Sequence, residues 1–356
     1  MIDANGEGTK QDMQRAHPGV HPRWKAWIGS GTEPLVLDRN RIRNIHRYLA
    51  ILIRTPVSLC ERLRTGTVPA CAFVLALNAA STCLAIEPVW PAITEPPTSH
   101  YVPGRWVWAE LFTEDVKAAT RFYGAAFGWS FQVFPGPRGR DYTLAFSDGE
   151  PVGGMIQREH TYQKESGSRW LGMISVTDVE AAARYAADHG GKVVVAPRLL
   201  PGRGEMALLA DPEGAPFGVI RSSAGDPPDY LAEDRQWVWL ELWARDPESM
   251  AKFYAGLAGY EIASVKQPDG RKGYLLASGG YTRCGIVASP AASVAGAWLF
   301  YLKVDDVKVA TKQAEQAGAR VVVPPGSAIQ DGRVALIVDP AGAALGLAEM
   351  IPSEIR

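Results

Sequence analysis

The chain reads as an α+β protein made of four βαβββ modules paired into two domains, and repeats at three levels carry that reading. Trp106-Val-Trp-Ala-Glu-Leu111 recurs 131 residues later as Trp237-Val-Trp-Leu-Glu-Leu242, and Asp115, Phe122-Tyr123 and Gly128 recur at the same offset as Asp246, Phe253-Tyr254 and Gly259. Trp170-Leu171, Asp178-Val179, Gly190 and Asp211-Pro212 recur 128 residues later as Trp298-Leu299, Asp306-Val307, Gly318 and Asp339-Pro340. Matches held in register mark a duplicated structural unit, and the drop in offset places a three-residue deletion in a loop, where deletions are tolerated. Within each copy the segments starting at Trp106, Trp170, Trp237 and Trp298 all begin as a strand and continue as a helix.

Module one justifies its elements in order. Trp106, Trp108 and Glu110 share one strand face by period-2 alternation, with Val107, Ala109 and Leu111 on the other. Thr113-Glu-Asp115 is a helix-start signature; Val116, Ala119, Phe122-Tyr123 and Ala126 follow at helical spacing, and Gly128 ends the helix. Strand-like runs over 130–133, 142–146 and 152–157 are separated by Pro135-Gly-Pro-Arg-Gly139 and Ser147-Asp-Gly149. Module two runs as a strand over 172–176, a helix over 179–189, and strands over 192–197, 206–210 and 216–221; modules three and four repeat the order. A lone βαβββ unit leaves a sheet face uncovered, so modules pair. The domains are bounded as 102–222 and 235–350, joined by a Pro-, Gly- and Asp-rich linker over 223–234.

The chain before residue 102 differs. Residues 1–66 are polar and irregular and read as a disordered tail. Residues 67–85 carry an uncharged apolar run behind Arg62 and Arg64, ending in small residues, which is the order of a signal peptide or a membrane anchor. This predicts an exported or tethered protein, with membrane contact only through that segment; a wrongly placed start would make it cytoplasmic instead. Residues 86–101, with four prolines between Glu87 and Pro97, read as an extended linker. Thirty-seven basic against 38 acidic residues, a net charge of -1, provide no field for nucleic acid. Three of four cysteines lie at 60, 71 and 83, so no disulfide framework spans the chain.

The Leu-x-x-x-Asp strand-to-helix pattern, the helices carrying Phe-Tyr, the Asp-Pro-x-Gly turns and the paired modules resemble the vicinal oxygen chelate superfamily, the glyoxalase, bleomycin-resistance and extradiol dioxygenase group, over about residues 102–350. That resemblance implies curved mixed sheets, one from each module, two closing around a cleft in each domain. It also implies where a metal would be held: by a His or Gln three residues before the Leu of the first strand, and by a Glu four residues after the Gly of the turn. Those positions hold Trp108, Leu171, Trp239 and Leu299, and Gly218 and Gly346. Domain two has no histidine, and His160 and His189 of domain one match no ligand position. No metal and no other cofactor is expected.

The remaining chemistry falls on Glu110 and Glu241, equivalent carboxylates expected beside Trp106 and Trp108 or Trp237 and Trp239. Desolvated carboxylates suit a general base or a ligand acceptor; equally, each Glu could take a backbone or Arg partner and only orient its strand. The Trp pairs with Met173 and Tyr301 offer an aromatic-walled pocket for a small apolar or aromatic ligand, or plain core packing. Cys284 reads as a small core residue, and the Asp211 and Asp339 turns as turn-formers without chemical duty. The function expected is metal-free binding of such a molecule, with lyase, isomerase or dioxygenase-like chemistry through Glu110 or Glu241, or through a non-standard metal site, as the alternative. Internal duplication makes a monomer sufficient and leaves a homodimer open.

Overall fold

The computed structural model describes residues 89–136, 140–158, 167–229, 232–267, 270–290, 296–326 and 332–349. The expected tail, the apolar segment 67–85 and His160 lie outside them. No helix among the described residues is long and apolar enough to cross a membrane.

Module one comprises β1 (Trp106–Thr113), α1 (Val116–Phe127), β2 (Ser130–Phe134), β3 (Tyr142–Ser147) and β4 (Glu150–Gln157). Module two comprises β5 (Arg169–Ser175), α2 (Val179–Asp188), β6 (Lys192–Leu200), β7 (Gly204–Ala210) and β8 (Pro216–Ser222). Module three comprises β9 (Trp237–Ala244), α3 (Pro247–Ala258), β10 (Glu261–Lys266), β11 (Lys272–Ser278) and β12 (Tyr281–Ala288). Module four comprises β13 (Ala297–Lys303), α4 (Val307–Gln316), β14 (Arg320–Val323), β15 (Val334–Val338) and β16 (Ala344–Ala348). The four recurring aspartates cap the helices: Asp115 accepts from the Ala118 amide, Asp178 from Ala181, Asp246 from Ser249, and Asp306 from Lys308 and Val309. Each satisfies amides that the first turn leaves unpaired.

Each domain forms one sheet rather than two closing sheets. The orders are β2-β3-β4-β1-β5-β8-β7-β6 and β10-β11-β12-β9-β13-β16-β15-β14. The modules join edge to edge because β1 pairs antiparallel with β5, and β9 with β13. The helices cover one face of each sheet, α1 packs on α4 and α2 on α3, and a continuous apolar core between the sheets takes residues from both domains. Two smaller apolar clusters lie on the opposite sheet faces, one per domain, and mark the clefts.

A β-bulge corrects the predicted faces of β1 and β9. The pairing of β1 with β5 shifts register between Trp106 and Trp108, and that of β9 with β13 shifts between Tyr301 and Leu302, leaving Val107 and Val238 as the extra residues. One extra residue inverts the side-chain alternation before it. Trp106 and Trp237 therefore leave the cleft face and enter the core between domains. Trp106 meets Trp298 at 4.6 Å between ring centroids, Trp237 meets Trp170 at 4.9 Å, and Trp237 Nε1 donates to the Val152 carbonyl at 2.7 Å. Each strand thus sends one tryptophan across to the other domain.

A reciprocal link between domains uses the repeated Phe-Tyr and Asp-Pro motifs. Trp170 Nε1 donates to Tyr123 OH at 2.7 Å, and Tyr123 OH donates to Asp339 Oδ2 at 3.0 Å. In the mirror arrangement Trp298 Nε1 donates to Tyr254 OH at 2.9 Å, and Tyr254 OH donates to Asp211 Oδ2 at 3.1 Å. The other oxygen of each aspartate holds its own turn: Asp211 Oδ1 accepts from the Glu213 and Ala215 amides, Asp339 Oδ1 from Ala341 and Ala343. The turn aspartates, expected only to shape their turns, also join the domains.

Burial pushes Asp211 up to about 6, opposed by hydrogen bonds from Ala215, Tyr254 and Glu213, and raises Asp339 in the same way. The unfolded value is about 4, so the folded state holds the Asp211 proton more tightly. Its contribution to stability is full below about pH 4 and is lost as pH rises through about 6. Urea denaturation of Asp211→Asn across pH 4–7 should show a flatter decline in stability than the parent; an unchanged slope contradicts the assignment. Tyr254→Phe, which strands Trp298 Nε1 and Asp211 Oδ2, should cost about 1–3 kcal/mol at neutral pH.

Candidate functional site

Domain one carries the better-formed cleft. β1 supplies Trp108 and Glu110, β3 Tyr142, β5 Met173, β7 Met206 and Leu208, and β8 Ile220, around a cavity of about 340 Å³. These positions follow from the period of the strands, which sends alternate residues to the face opposite the helices. Arg140, Asp141, Gln157 and Arg198 bring polar groups to the same cavity.

At its floor Arg203, from the turn between β6 and β7, pairs with Glu110. The Arg203 Nη1 to Glu110 Oε2 distance is 3.4 Å, and both side chains are about 3% exposed. Arg203 Nη1 also donates to Tyr142 OH at 2.8 Å, and Trp108 Nε1 donates to the same hydroxyl at 3.2 Å. The guanidinium lies against the Trp108 and Tyr142 rings, 5.0 and 4.8 Å from their centroids. Desolvation raises the Glu110 pKa, opposed first by Arg203 and then by Tyr142 and Trp108. Glu110 Oε1 and Arg203 Nη2 are buried with no hydrogen-bond partner among the described residues.

The Pro-rich segment reaches this floor. Trp90 and Ile93 join the cleft cluster of domain one, Arg203 Nε donates to the Pro91 carbonyl at 3.0 Å, and the Trp90 ring meets Tyr142 edge-on at 5.0 Å.

Domain two differs at the equivalent place. Glu241 Oε1 accepts from Trp243 Nε1 at 2.8 Å and from Tyr301 OH at 3.3 Å. Burial raises Glu241, and those same two hydrogen bonds oppose the rise. Trp239 and Tyr301 pack with Leu275, Leu299, Val323 and Leu336 into an apolar cluster on this face. Of the predicted residues, the structure therefore joins Trp108, Glu110 and Met173 in one cleft, and Trp239, Glu241 and Tyr301 in the other. It removes Trp106 and Trp237 from both. Arg203 and Tyr142 escaped sequence reasoning. The only sign of Arg203 was a break in the repeat, since the residue 128 positions on is Asp331.

Family comparison agrees with this architecture. Residues 105–219 match the Glyoxalase/Bleomycin resistance protein/Dioxygenase superfamily, and residues 237–348 match a Glyoxalase-like domain. The chain belongs to this superfamily. A relative is CFP32 of Mycobacterium tuberculosis, which carries a provisional glyoxylase name; it is 28% identical over 260 residues, covering 73% of this chain and all of CFP32. The anthracycline biosynthesis protein DauV of a Streptomyces species is 27% identical over 267 residues, covering 71% of this chain and 95% of its own. Among solved structures, the Mn(II)-bound glyoxalase of Novosphingobium aromaticivorans aligns with 72% of this chain and 84% of its own, at 16% identity and a TM-score of 0.47.

Within this superfamily member, the positions where the resemblance implies a metal-binding Glu are filled by neighbours. A Cβ at Gly218 would collide with Met173 Sδ, and one at Gly346 with the Tyr301 ring. Strand register explains both, because Met173 pairs with Gly218 and Tyr301 with Gly346. Among the described residues, no three His, Cys, Asp or Glu side chains gather as a metal site. Cys284 is buried in the core between domains, and burial pushes its thiol up to about 12, so it stays protonated.

The Glu110–Arg203 pair makes a stability prediction. Arg203→Met leaves Glu110 buried without its cation and should cost about 3–5 kcal/mol in urea denaturation. The double variant Glu110→Gln/Arg203→Met should recover at least half of that loss; additive losses would show that the two do not interact.

Proposed function

We propose that the cleft of domain one binds a small, planar or aromatic molecule without a bound metal. The observation that carries this reading is the cavity of about 340 Å³, walled by Trp, Tyr, Met, Leu and Ile side chains around a single buried acid–base pair. Cavities of that size and lining, with a few convergent polar groups, are where proteins hold small ligands. The kinship with DauV, named for anthracycline biosynthesis, supports an aromatic ligand, since anthracyclines are polycyclic aromatic compounds.

What supports metal independence is the donor set. A catalytic metal needs several N or O donors converging on one point. Tryptophan and leucine stand at the first-strand positions, and the two glycines at the turn positions sit beneath a thioether and a phenol ring. No step is assigned to a metal. Export rests on the sequence of residues 67–85 alone.

A second reading makes Glu110 a general base, favoured by its raised pKa and by an Oε1 with no hydrogen-bond partner among the described residues. Turnover that is lost in Glu110→Gln while binding is kept would select it.

Calorimetric titration of EDTA-dialysed full-length protein with 1-acetylnaphthalene tests the binding reading. The expected result is one site per chain, weakened at least tenfold, about 1.4 kcal/mol, by the cavity-filling variant Ile220→Trp. Elemental analysis of the protein before dialysis should find far less than one metal per chain. Equal affinity in the variant would contradict the cleft as the site, and stoichiometric metal would contradict metal independence.

A further inference from the structure

Resting on that binding reading, we infer that the Trp90-Pro91 strap is a built-in occupant of the domain-one cleft, and that the ligand displacing it is an aromatic ring bearing a carbonyl oxygen.

The strap presents two groups to the floor of the cleft. The Trp90 indole stands edge-on to Tyr142 at 5.0 Å, with the Arg203 guanidinium 5.9 Å from its ring centroid. The Pro91 carbonyl, directly after it in sequence, accepts from Arg203 Nε at 3.0 Å. An aromatic ring and a neighbouring carbonyl oxygen thus satisfy one face of an arginine that is otherwise enclosed by Trp108 and Tyr142. A ligand able to replace the strap needs the same two features: a π-face or edge for the guanidinium and Tyr142, and an oxygen acceptor for the Arg203 N–H groups.

The floor is also incompletely satisfied with the strap in place. Glu110 Oε1 and Arg203 Nη2 are buried and have no hydrogen-bond partner among the described residues, although each residue is only 2% exposed. Buried polar atoms left in that state cost free energy, so the closed arrangement leaves one acceptor and one donor for a better partner. An aryl carbonyl can satisfy the donor, and a hydroxyl or amide N–H beside it the acceptor.

The strap is held in a way that permits exchange. On the cleft side Trp90 N–H donates to the Pro201 carbonyl at 2.8 Å, and Gly202, at φ +85°, brings the turn close enough that a Cβ there would meet the Trp90 carbonyl. Firm anchoring follows at once, with the Ile93 side chain 2% exposed in the cleft cluster, Thr98 Oγ1 donating to the Asp226 carbonyl at 2.7 Å and the Val102 amide to Asp226 Oδ2 at 2.6 Å. Trp90 and Pro91, each held by one hydrogen bond, can therefore leave the floor while Ile93 and residues 98–102 stay fixed.

The test compares two probes, 1-acetylnaphthalene and 1-ethylnaphthalene, which lacks the carbonyl oxygen, on full-length protein and on Trp90→Ala, by calorimetry. A strap that competes lowers apparent affinity in proportion to the time it occupies the floor. The expected results are at least fivefold tighter binding of the acetyl probe than of the ethyl probe, and a further gain of about tenfold in Trp90→Ala. Hydrogen exchange on the unmutated protein is the companion measurement, because it does not depend on how well the variant folds. Saturating 1-acetylnaphthalene should speed exchange of the Trp90 amide as its bond to Pro201 is lost. Binding of both probes with equal affinity, no gain in Trp90→Ala and a protected Trp90 amide would overturn the inference and leave the cleft reading standing. No binding of either probe to either protein would overturn the cleft reading itself, and the inference with it.

Discussion

The two reciprocal Trp–Tyr–Asp chains are the constraint on which the arrangement of this molecule depends. Each ties a strand tryptophan and a helix tyrosine of one domain to the turn aspartate of the other. Because the tyrosines sit on α1 and α3, these bonds hold the helix-covered faces together and leave the opposite faces of both sheets available as clefts. Buried hydroxyl, indole and carboxylate groups are tolerated there because each finds a partner, and loss of one member strands the others. Swapping any single residue for an apolar one would be felt in both domains.

Duplication gave the molecule two clefts of the same ancestry, and their polar floors have diverged. In domain two the carboxylate of Glu241 accepts from Trp243 and Tyr301, and the rings pack over it. In domain one the corresponding Glu110 faces Arg203, a residue supplied by a turn, and its Oε1 has no hydrogen-bond partner among the described residues. A carboxylate oxygen held by two donors suits a scaffold, and a carboxylate that faces a cation beside an open cavity suits a site that waits for a partner. The same pressure shows in the small residues beneath the large ones: glycine at 154, 218, 285 and 346 makes room for Glu110 and Tyr142, Met173, Trp239 and Tyr301 in turn.

Much of the architecture was legible in the sequence, because repeats, capping aspartates and helix-ending glycines are local signals. Asp115, Asp178, Asp246 and Asp306 recur where helices begin and cap them, and Gly128 and Gly259 end α1 and α3 in the left-handed conformation. The faces of β1 and β9 were not legible. A bulge at Val107 or Val238 depends on what the neighbouring strand offers, and simple alternation puts Trp106 and Trp237 on the wrong side of it. The joining role of Asp211 and Asp339 was equally hidden, since their tyrosine partners lie 43 and 216 residues away. Arg203 is the sharpest case. It sits in a Pro-Gly-Arg-Gly turn that reads as connection, and only the fold brings it beneath Glu110.

The central claim, that domain one holds the ligand and does so without metal, can be tested at individual methyl groups. Met173 and Met206 line the domain-one cavity, whereas Met250 lies in the core on α3 of domain two. Full-length protein labelled with ¹³C at the methionine methyls, stripped of metal and titrated with 1-acetylnaphthalene, should show saturable ring-current shifts at Met173 and Met206 and none at Met250. Silent Met173 and Met206 signals while the probe binds, or shifts that develop only after a divalent metal is restored, would contradict the account.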